Sequence, residues 1–590
     1  MRQSVLIRIL RTPRVLRLLL VVSLLSGPAL VSEPARAKES ASISIADMQR
    51  WLGYIASDEL QGRQVFTEGL GLAAAYIAEH LARWNVTPGG DDGTYFQTVK
   101  ILGVRSTSKA SVLVDVNGTK RIFRDGEGIT FPKKMGGKQT IASDRIQFVG
   151  YGLQVPSADL DDYSDLDPRG TVVVFLGQGP ATLPAGSSRL VNARSRNAIS
   201  KGAVATIGPS STPTSSSRPT RDVTAGAEGS RRDGDGSARR TSAPTPDNGD
   251  FTTAERYDRP VPAALTATDD FFEFLFSGSD VKYADLKEKV ARREPLPRMA
   301  LKGVSITVNV DADYTVVRTR LTRNVVGTVR GSDAALGDTY VAFGAHYDHI
   351  GYVERGGAAA ASTGAFAGSC PGQTRETPRA GDIINNGADD DGSGTVALMA
   401  LARAYAEGPK PKRSLLFVWH SGEEAGLHGS RYYADFPTVP LDRMSAQLNI
   451  DMIGRNRCDD PAQRDTVYLV GSDRISTELH NVNEEANGAL ARPLTLDYAL
   501  NDPADPESIY TRSDHYSYAS KGVPIIFYTT GLHRDYHYVT DEVSKIDFDK
   551  LTRITQLIYA TGTRLANLDH APVRDNKGPR KGRGAGGRIE

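Results

Sequence analysis

The chain has 590 residues, of which 39% are hydrophobic and 24% charged, and its formal net charge at pH 7 is +1. One hydrophobic core rarely serves so many residues, so we expect two or three domains of ordinary globular composition. The near-neutral charge argues against a protein that binds nucleic acid, because such a protein needs a basic face.

Residues 1–37 have the pattern of a secretory signal peptide. Arginines precede an apolar run over residues 18–25, and Ala35-Arg36-Ala37 offers the small residues of a cleavage site. The apolar run is too short to cross a bilayer as a helix, although an uncleaved anchor is the alternative. We therefore expect an exported protein, periplasmic or secreted, that keeps no stable membrane anchor after cleavage.

The chain contains two cysteines, Cys370 and Cys458. Both lie in predicted loops next to the motifs described below. An exported protein can form a disulfide between two such residues, whereas two separate thiols are the alternative.

Residues 38–105 are predicted to form an N-terminal helical segment. Apolar residues recur at helical spacing over 48–56 and again over 70–81. Two helices joined by a loop are therefore expected here.

Residues 106–320 are predicted to form an inserted β-rich domain. Short β runs replace the helical pattern, for example at 111–116 just before the turn Asn117-Gly118. Residues 209–260 interrupt these runs and are rich in Ser, Thr, Pro, Gly and Arg, so we expect a disordered loop there.

Residues 321–570 are predicted to form an α/β catalytic domain, followed by a disordered basic tail at 571–590. Apolar strands alternate with helical patterns, and the carboxyl ends of strands in an open α/β sheet converge on one edge. The predicted strands cover residues 340–345, 415–419, 446–450 and 523–528, and a predicted helix covers 396–406.

Side chains that can bind metal follow these strands or open the helix. Imidazoles and carboxylates without cysteine suit a pair of zinc ions. Each residue alone has a structural alternative, such as helix capping for Asp390 or a solvated acidic turn for the two glutamates. The candidates are His346, Asp390, Glu423, Glu424, Asp451 and His537.

The spacing of these residues suggests a division of roles. A ligating His346 needs its second nitrogen held by an acceptor, and Asp348 is the obvious carboxylate. Asp390 has two oxygens with which to bridge two cations. Of Glu423 and Glu424, one can bind metal while the other accepts the proton of the attacking water. His349 and His515 are interpreted as structural or supporting residues, not ligands.

Taken together and in this order, the residues resemble the zinc exopeptidase family that contains the bacterial leucine aminopeptidases, glutamate carboxypeptidase and glutaminyl cyclase. The resemblance extends to residues 57–63 and 89–97, and the β-rich insert resembles a protease-associated domain. It implies a mixed, mainly parallel sheet flanked by helices. It also implies that His346 and Asp451 hold one zinc, that Glu424 and His537 hold the other, that Asp390 bridges them and that Glu423 is the general base.

The resemblance further implies an exported metalloaminopeptidase with two zinc ions per chain, acting on peptides with a free N-terminus. A carboxypeptidase or dipeptidase of the same family is the main alternative, with Arg455, Arg512 or Arg534 available for a terminal carboxylate. A glutaminyl cyclase and a non-catalytic binding module are further alternatives. An insertion at 356–381, between the first two ligands, is a candidate edge of the substrate pocket.

Overall fold

The computed structural model describes residues 43–155, 158–184, 186–210, 249–353, 370, 373 and 375–576. The predicted signal peptide, most of the predicted loop at 209–260, residues 354–369 of the insertion region and the tail from residue 577 lie outside these ranges. Among the helices that are described, none combines the length and the apolar character needed to cross a bilayer.

Helices in the described residues begin and end where their apolar stripes do. The two predicted N-terminal helices are confirmed, and Met48, Trp51, Leu52 and Ile55 of the first are buried at helical spacing. The helices are α1 Ile45–Ile55, α2 Glu68–Arg83, α3 Ser188–Asn192, α4 Arg194–Ser200, α5 Asp269–Leu275, α6 Tyr283–Ala291, α7 Gly394–Glu407, α8 His428–Asp435, α9 Thr477–Gly488, α10 His515–Ala519 and α11 Phe548–Asn567.

Strands up to residue 310 are mostly short. They are β1 Thr87–Pro88, β2 Phe96–Ser108, β3 Ser111–Val116, β4 Thr119–Asp125, β5 Gly128–Thr130, β6 Gln139–Ser143, β7 Ile146–Phe148, β8 Gln154–Val155, β9 Leu160–Asp161, β10 Val172–Val174, β11 Ala205–Pro209, β12 Phe251–Thr253, β13 Ala263–Ala267, β14 Met299–Ala300 and β15 Val304–Val310. The later strands are β16 Ala312–Val329, β17 Tyr340–His346, β18 Gly351–Tyr352, β19 Ile384–Asn385, β20 Ser414–His420, β21 Met444–Ile450, β22 Thr466–Val470, β23 Thr495–Asp497 and β24 Ile525–Thr529.

The central sheet is mixed, with a parallel middle, as the sequence predicts. Its strands follow the order β12-β2-β16-β20-β17-β21-β24-β22-β23. Strands β20, β17, β21 and β24 are parallel, whereas β16 and β22 run antiparallel to their neighbours β20 and β24. Every residue of β20, β21 and β24 is buried, which is typical of parallel strands covered on both faces.

Helices cover both faces of this sheet. Alternate residues of β17 point to opposite layers: Val341, Phe343 and Ala345 join a core that includes α1, α2, α7 and α11, while Ala342 joins a smaller core that includes α8 and α10. The carboxyl ends of the parallel strands therefore meet at one edge, between two packed helical layers.

A second sheet forms the inserted β domain, by which we mean residues 109–311 apart from β12, which pairs with β2 in the central sheet. Its strand order is β14-β7-β10-β11-β13-β5-β4-β3-β15-β6, and it has its own hydrophobic core. The domain is joined to the central sheet through β2 and β16, which pair along almost their whole length. The predicted boundaries at 106 and 320 therefore include the ends of two strands that belong to the central sheet.

Candidate metal centre

A cavity opens at the carboxyl ends of the parallel strands. It holds about 420 Å³ of space, part of it open to solvent. Acidic side chains line its floor, and apolar and aromatic side chains line its wall. The lining residues are Asp390, Glu423, Asp451, Met452, Ile509, Arg512, Ser513, Phe527, Thr529, Gly531, Leu532 and Tyr536.

His346, Asp390 and Asp451 form the first group of converging ligand atoms. The Nε2 atom of His346 lies 3.3 Å from Oδ1 of Asp390 and 3.7 Å from Oδ1 of Asp451. His346 ends β17 and Asp451 directly follows β21, so the parallel register of these strands brings them together. All three side chains are buried.

A second group shares the carboxylate of Asp390. The Nε2 atom of His537 lies 3.1 Å from Oδ2 of Asp390 and 2.9 Å from Oε2 of Glu424. The other carboxylate oxygen of Glu424 lies 2.9 Å from Nδ1 of His349. Asp390 thus faces one group with Oδ1 and the other with Oδ2, which is the arrangement that a bridging carboxylate requires.

His349 is a member of this second group that the sequence interpretation treated as structural. Its ligand atom and one oxygen each of Asp390 and Glu424 all lie within 4.8 Å of one another. The available signal was its position three residues after His346, since a turn that follows a strand can direct both imidazoles to one edge.

The donor atoms fit metal ions. The Nε2 atoms of His346 and His537 and the Oδ2 atom of Asp390 are buried, and none has a hydrogen-bond partner among the described residues. Burying such a polar atom without a partner destabilises the folded protein, so a bound ion or ligand is expected there. Two atoms that each bind zinc tetrahedrally at about 2.1 Å lie about 3.4 Å apart, close to the separations of 3.1–3.7 Å seen for His346 and His537 against the aspartates.

Glu423 lies at the cavity but outside both groups of ligand atoms. Its backbone N–H donates to Oδ1 of Asp348 over 3.1 Å. Desolvation raises the pKa of the Glu423 carboxyl well above its usual range; the His346 imidazole opposes this shift, and the Glu424 carboxylate adds to it. A carboxyl with a raised pKa beside a reaction centre is suited to proton transfer.

Asp348 contacts both His346 and Glu423, but its carboxylate is not the group that holds His346, contrary to the sequence prediction. The Nδ1 atom of His346 lies 3.1 Å from the backbone carbonyl oxygen of Asp348, whereas the Asp348 carboxylate is 3.8 Å away. The backbone therefore holds the imidazole because a residue two positions on in this turn can reach it directly. The carboxylate is left to hold Glu423, and burial raises the pKa of Asp348 to about 6.

The carboxylates next to Asp390 accept hydrogen bonds from backbone N–H groups. Asp391 accepts hydrogen bonds from the N–H groups of His346, Gly394 and Met452, and so ties three elements to the site. Asp541 accepts hydrogen bonds from the N–H groups of Asp389 and Asp390 over 3.1 Å. Three adjacent aspartates are thus divided between one ligand and its scaffold.

Electrostatics at Asp390 follow from these contacts. Burial would raise the pKa of its carboxyl, but the imidazoles of His346 and His537 outweigh that effect and hold the pKa well below its usual range. Asp390 is therefore ionised and available as an anionic ligand.

Arg63 braces the loops of the site from the N-terminal segment. Its buried guanidinium donates to the carbonyl oxygens of Tyr347, Asn386 and Gly387 over 2.7–3.0 Å, as well as to that of Ile55. Gly387 has φ +56, and a Cβ there would lie 2.3 Å from the carbonyl oxygen of Asp390. The sequence offered no signal for the contacts of Arg63 with Tyr347, Asn386 and Gly387, since these span more than 280 residues.

The three arginines considered for a terminal carboxylate differ in position. Arg455 is buried against Asp459 and Asp535, and Arg534 pairs with Glu376 and Asp459. Only Arg512 is among the residues that line the described cavity.

Cys370 and Cys458 form a disulfide. Next to it, Gln373 donates to the carbonyl oxygen of Cys458, and the Arg375 guanidinium donates to the carbonyl oxygens of Arg534 and Tyr536. Arg375, which lies within the predicted insertion 356–381, thus contacts the loop that carries His537.

A model of peptidase family M28 matches residues 324–562. Residues 324–562, called the M28 region below, are therefore similar to peptidase family M28. The M28 region contains all five predicted metal ligands and Glu423. The resemblance of the inserted β domain to a protease-associated domain is not addressed by this match, because residues 109–311 lie outside it.

Individual relatives are similar to about a third of the chain. Leucine aminopeptidase 1 of Ajellomyces capsulatus strain H88 is 29% identical over 229 residues, which are 34% of this chain and 55% of that protein. A probable zinc metalloprotease of Pyrenophora tritici-repentis is 28% identical over 232 residues, 33% of this chain and 47% of that protein. The chain therefore spans about half the length of these curated relatives.

Solved structures give a weaker similarity over a greater length. The aminopeptidase from Aneurinibacillus sp. strain AM-1 has a TM-score of 0.40 and 16% identity, covering 91% of this chain and 95% of that one. The zinc aminopeptidase BSAP from Bacillus subtilis has a TM-score of 0.39 and 13% identity.

Proposed function

We propose that the protein is an exported zinc aminopeptidase that uses two metal ions to hydrolyse the N-terminal peptide bond of peptides. The observation that carries this proposal is the shared carboxylate of Asp390, whose two oxygens face two separate groups of imidazole and carboxylate ligands. The similarity of the M28 region to a peptidase family supports the reaction type.

Named relatives described as leucine aminopeptidase and probable zinc metalloprotease support the choice of zinc and of the amino end. In this proposal His346 and Asp451 would hold one zinc ion, Glu424 and His537 would hold the other, and Asp390 would be a ligand of both. Bound zinc supplies Lewis-acid polarisation of the scissile carbonyl and makes water a nucleophile near neutral pH.

Glu423 performs the proton transfers. Its carboxylate lies at the cavity and is not part of either ligand group, so it is free to accept the proton of the attacking water. It then returns that proton to the nitrogen of the leaving amine, which restores its charge. Asp348 holds the Glu423 backbone in place through the hydrogen bond to its N–H group.

The cavity favours the amino end of a peptide over the carboxyl end. Acidic side chains line its floor, which suits a positively charged α-amino group and repels a terminal carboxylate. Met452, Ile509, Phe527 and Leu532 line its wall and suit an apolar side chain. Arg512 is the feature that favours a carboxypeptidase, but its guanidinium is already paired with Glu507.

Export is part of the proposal. Residues 1–37 have the composition of a signal peptide, and the disulfide is of a kind that persists in oxidising compartments. The N-terminal sequence of the protein recovered from the periplasm or the medium tests this point, with a start at Lys38 as the expected result.

Matched peptides test the reaction. The full-length protein loaded with zinc is given a leucine-initiated peptide with either a free or an acetylated N-terminus. Release of leucine from the free form alone, abolished by a chelator and restored by zinc, is the expected result. Equal cleavage of both forms would point to a carboxypeptidase, and cleavage of neither form, with two zinc ions bound, would overturn the aminopeptidase.

A further inference from the structure

One carboxylate joins the inserted β domain to the wall of the cavity. The Oε2 atom of Glu507 lies 3.2 Å from Nη1 of Arg189, which is in α3 of the inserted β domain. The same oxygen lies 3.0 Å from Nη1 of Arg512, which lines the cavity. Two guanidinium groups, one from the inserted β domain and one from the M28 region, therefore share one oxygen atom.

The contacts continue from Arg512 to the candidate metal centre. The second terminal nitrogen of Arg512 donates to the hydroxyl group of Tyr536 over 3.1 Å. Tyr536 also lines the cavity, and its ring stacks on that of His537 with 3.9 Å between centroids. A side chain of the inserted β domain is thus linked by three polar contacts to a residue that packs on a predicted ligand.

Other contacts keep the two parts together at this place. Arg189 also donates to the backbone carbonyl oxygen of Glu507 over 3.2 Å. Ala504 of the M28 region is buried in an apolar cluster with Leu190 and Val191 of the inserted β domain. The segment 504–512 therefore lies between the inserted β domain and the cavity.

The degree of burial indicates what this linkage does. The Glu507 and Arg512 side chains are 19% and 24% exposed, whereas that of Arg189 is 48% exposed. A charge-assisted hydrogen bond in a partly buried position fixes its partner more firmly than one on the open surface. Glu507 both orients Arg512 and balances its charge beside a cavity that is to receive a positively charged amine.

We propose that Glu507 is a positioning residue for the substrate pocket, and that the inserted β domain supports it through Arg189. The proposal rests on the proposed aminopeptidase function for its effect on catalysis, but its mechanical part concerns only the segment 504–512 and Tyr536. Loss of the Glu507 carboxylate would leave an unbalanced guanidinium at the cavity, which weakens binding of a free N-terminus more than it slows the proton transfers at Glu423.

The test uses the full-length protein with the variants Arg189→Ala, Arg189→Lys and Glu507→Gln. Arg292→Ala is the matched control, because Arg292 is 56% exposed and pairs with Glu288 and Glu294 inside the inserted β domain. Hydrogen–deuterium exchange of peptides covering 504–516 and 532–538 reports the mechanical link without requiring activity. KM and kcat for a peptide with a free N-terminus report substrate binding in the pocket and turnover, respectively.

Faster exchange in both peptides is expected for Arg189→Ala and Glu507→Gln. The control variant should exchange at the wild-type rate, and Arg189→Lys at a rate between those of wild type and Arg189→Ala. KM is expected to rise about twofold to fivefold for Arg189→Ala, as for loss of a partly exposed ion pair, with kcat nearly unchanged. Unchanged exchange in Arg189→Ala would overturn the proposal whether or not the protein is a peptidase. An equal fall of kcat in all variants would overturn the positioning role, and absence of activity in the wild type would count only against the proposed function.

Discussion

Ser513 donates a hydrogen bond from its Oγ atom to Oδ2 of Asp451 over 2.6 Å. Its own hydroxyl accepts from Nδ2 of Asn449 over 3.1 Å, so Ser513 is held from β21 while it orients the carboxylate that follows this strand. Oδ1 of Asp451 is thereby turned toward His346. Partners of this kind fix the orientation of a ligand and tune its affinity for metal.

Replacing Ser513 by alanine should weaken metal binding while leaving the fold intact. Loss of such an orienting hydrogen bond typically costs about tenfold to a hundredfold in metal affinity. Competition with a zinc-binding dye measures the change. Ser520→Ala is a suitable control, since the Ser520 hydroxyl donates only within its own turn, to the carbonyl oxygen of Ser517. An unchanged zinc affinity in Ser513→Ala would show that Asp451 needs no such support.

Replacing Glu423 by glutamine should separate catalysis from metal binding. We expect kcat to fall by about 10²-fold to 10⁴-fold, the usual contribution of a general base, with the zinc content unchanged. Elemental analysis and single-turnover kinetics on the same preparation make the measurement. Glu424→Gln is the contrasting variant, for which zinc loss is expected. If Glu423→Gln lost zinc instead, the roles assigned to the two glutamates would be reversed.

His349 and His537 both contact Glu424, but their variants should differ in how much zinc they bind. His537→Asn is expected to lose one of two zinc ions, because His537 contacts the carboxylates of both Asp390 and Glu424 within 3.1 Å. His349→Asn is expected to keep two ions with an affinity reduced about tenfold, because His349 lies 3.8 Å from Asp390 and acts mainly on Glu424. Zinc titration by calorimetry decides between them. The opposite result would make His349 the ligand.

Removing the disulfide should destabilise the protein. The bond closes a separation of 88 residues, and loss of such a constraint costs about 2–5 kcal/mol. The double variant Cys370→Ser and Cys458→Ser should therefore melt at a lower temperature than wild type, as followed by circular dichroism. Treating the double variant with reductant provides the control, since it should change nothing further. An unaltered melting temperature would contradict the prediction.

His515 should make the protein less stable toward acid. Burial lowers its pKa to about 3, and its Nε2–H donates to the carbonyl oxygen of Tyr510, so the imidazole is neutral in the folded protein. The unfolded chain takes up a proton below about pH 6.5 whereas the folded one does not, so the free energy of unfolding falls as pH falls. Stability from this residue is complete above about pH 6.5 and declines toward pH 3.

His515→Gln keeps a donor and removes the titration. Between pH 7 and pH 5 the wild type should lose about 2 kcal/mol more than this variant, as measured by urea unfolding at both pH values. A parallel loss in the two proteins would mean that His515 is protonated in the folded state.

The sequence alone was sufficient for the α/β class and for proposing which strand-end residues bind metal. Strands rich in buried apolar residues end at His346, before Asp451 and before the glutamate pair, and strand ends of a parallel sheet meet at one edge whatever the loops do. Local periodicity also located α1, α2 and α7 to within a few residues. These features depend on neighbours in the chain, so they can be read without the fold.

Only the tertiary structure decided which atom of each residue makes which contact. Three contacts depend on distances between residues that loops and distant segments bring together. They are the hydrogen bond of His346 to the carbonyl and not the carboxylate of Asp348, the contact of His349 with Glu424, and the hydrogen bonds of Arg63. The same holds for Glu507, whose two arginine partners come from the inserted β domain and from the M28 region. Residue type and spacing determine which groups can bind metal or carry protons, but hydrogen-bond geometry operates over about 3 Å, and only the packed chain sets positions to that tolerance.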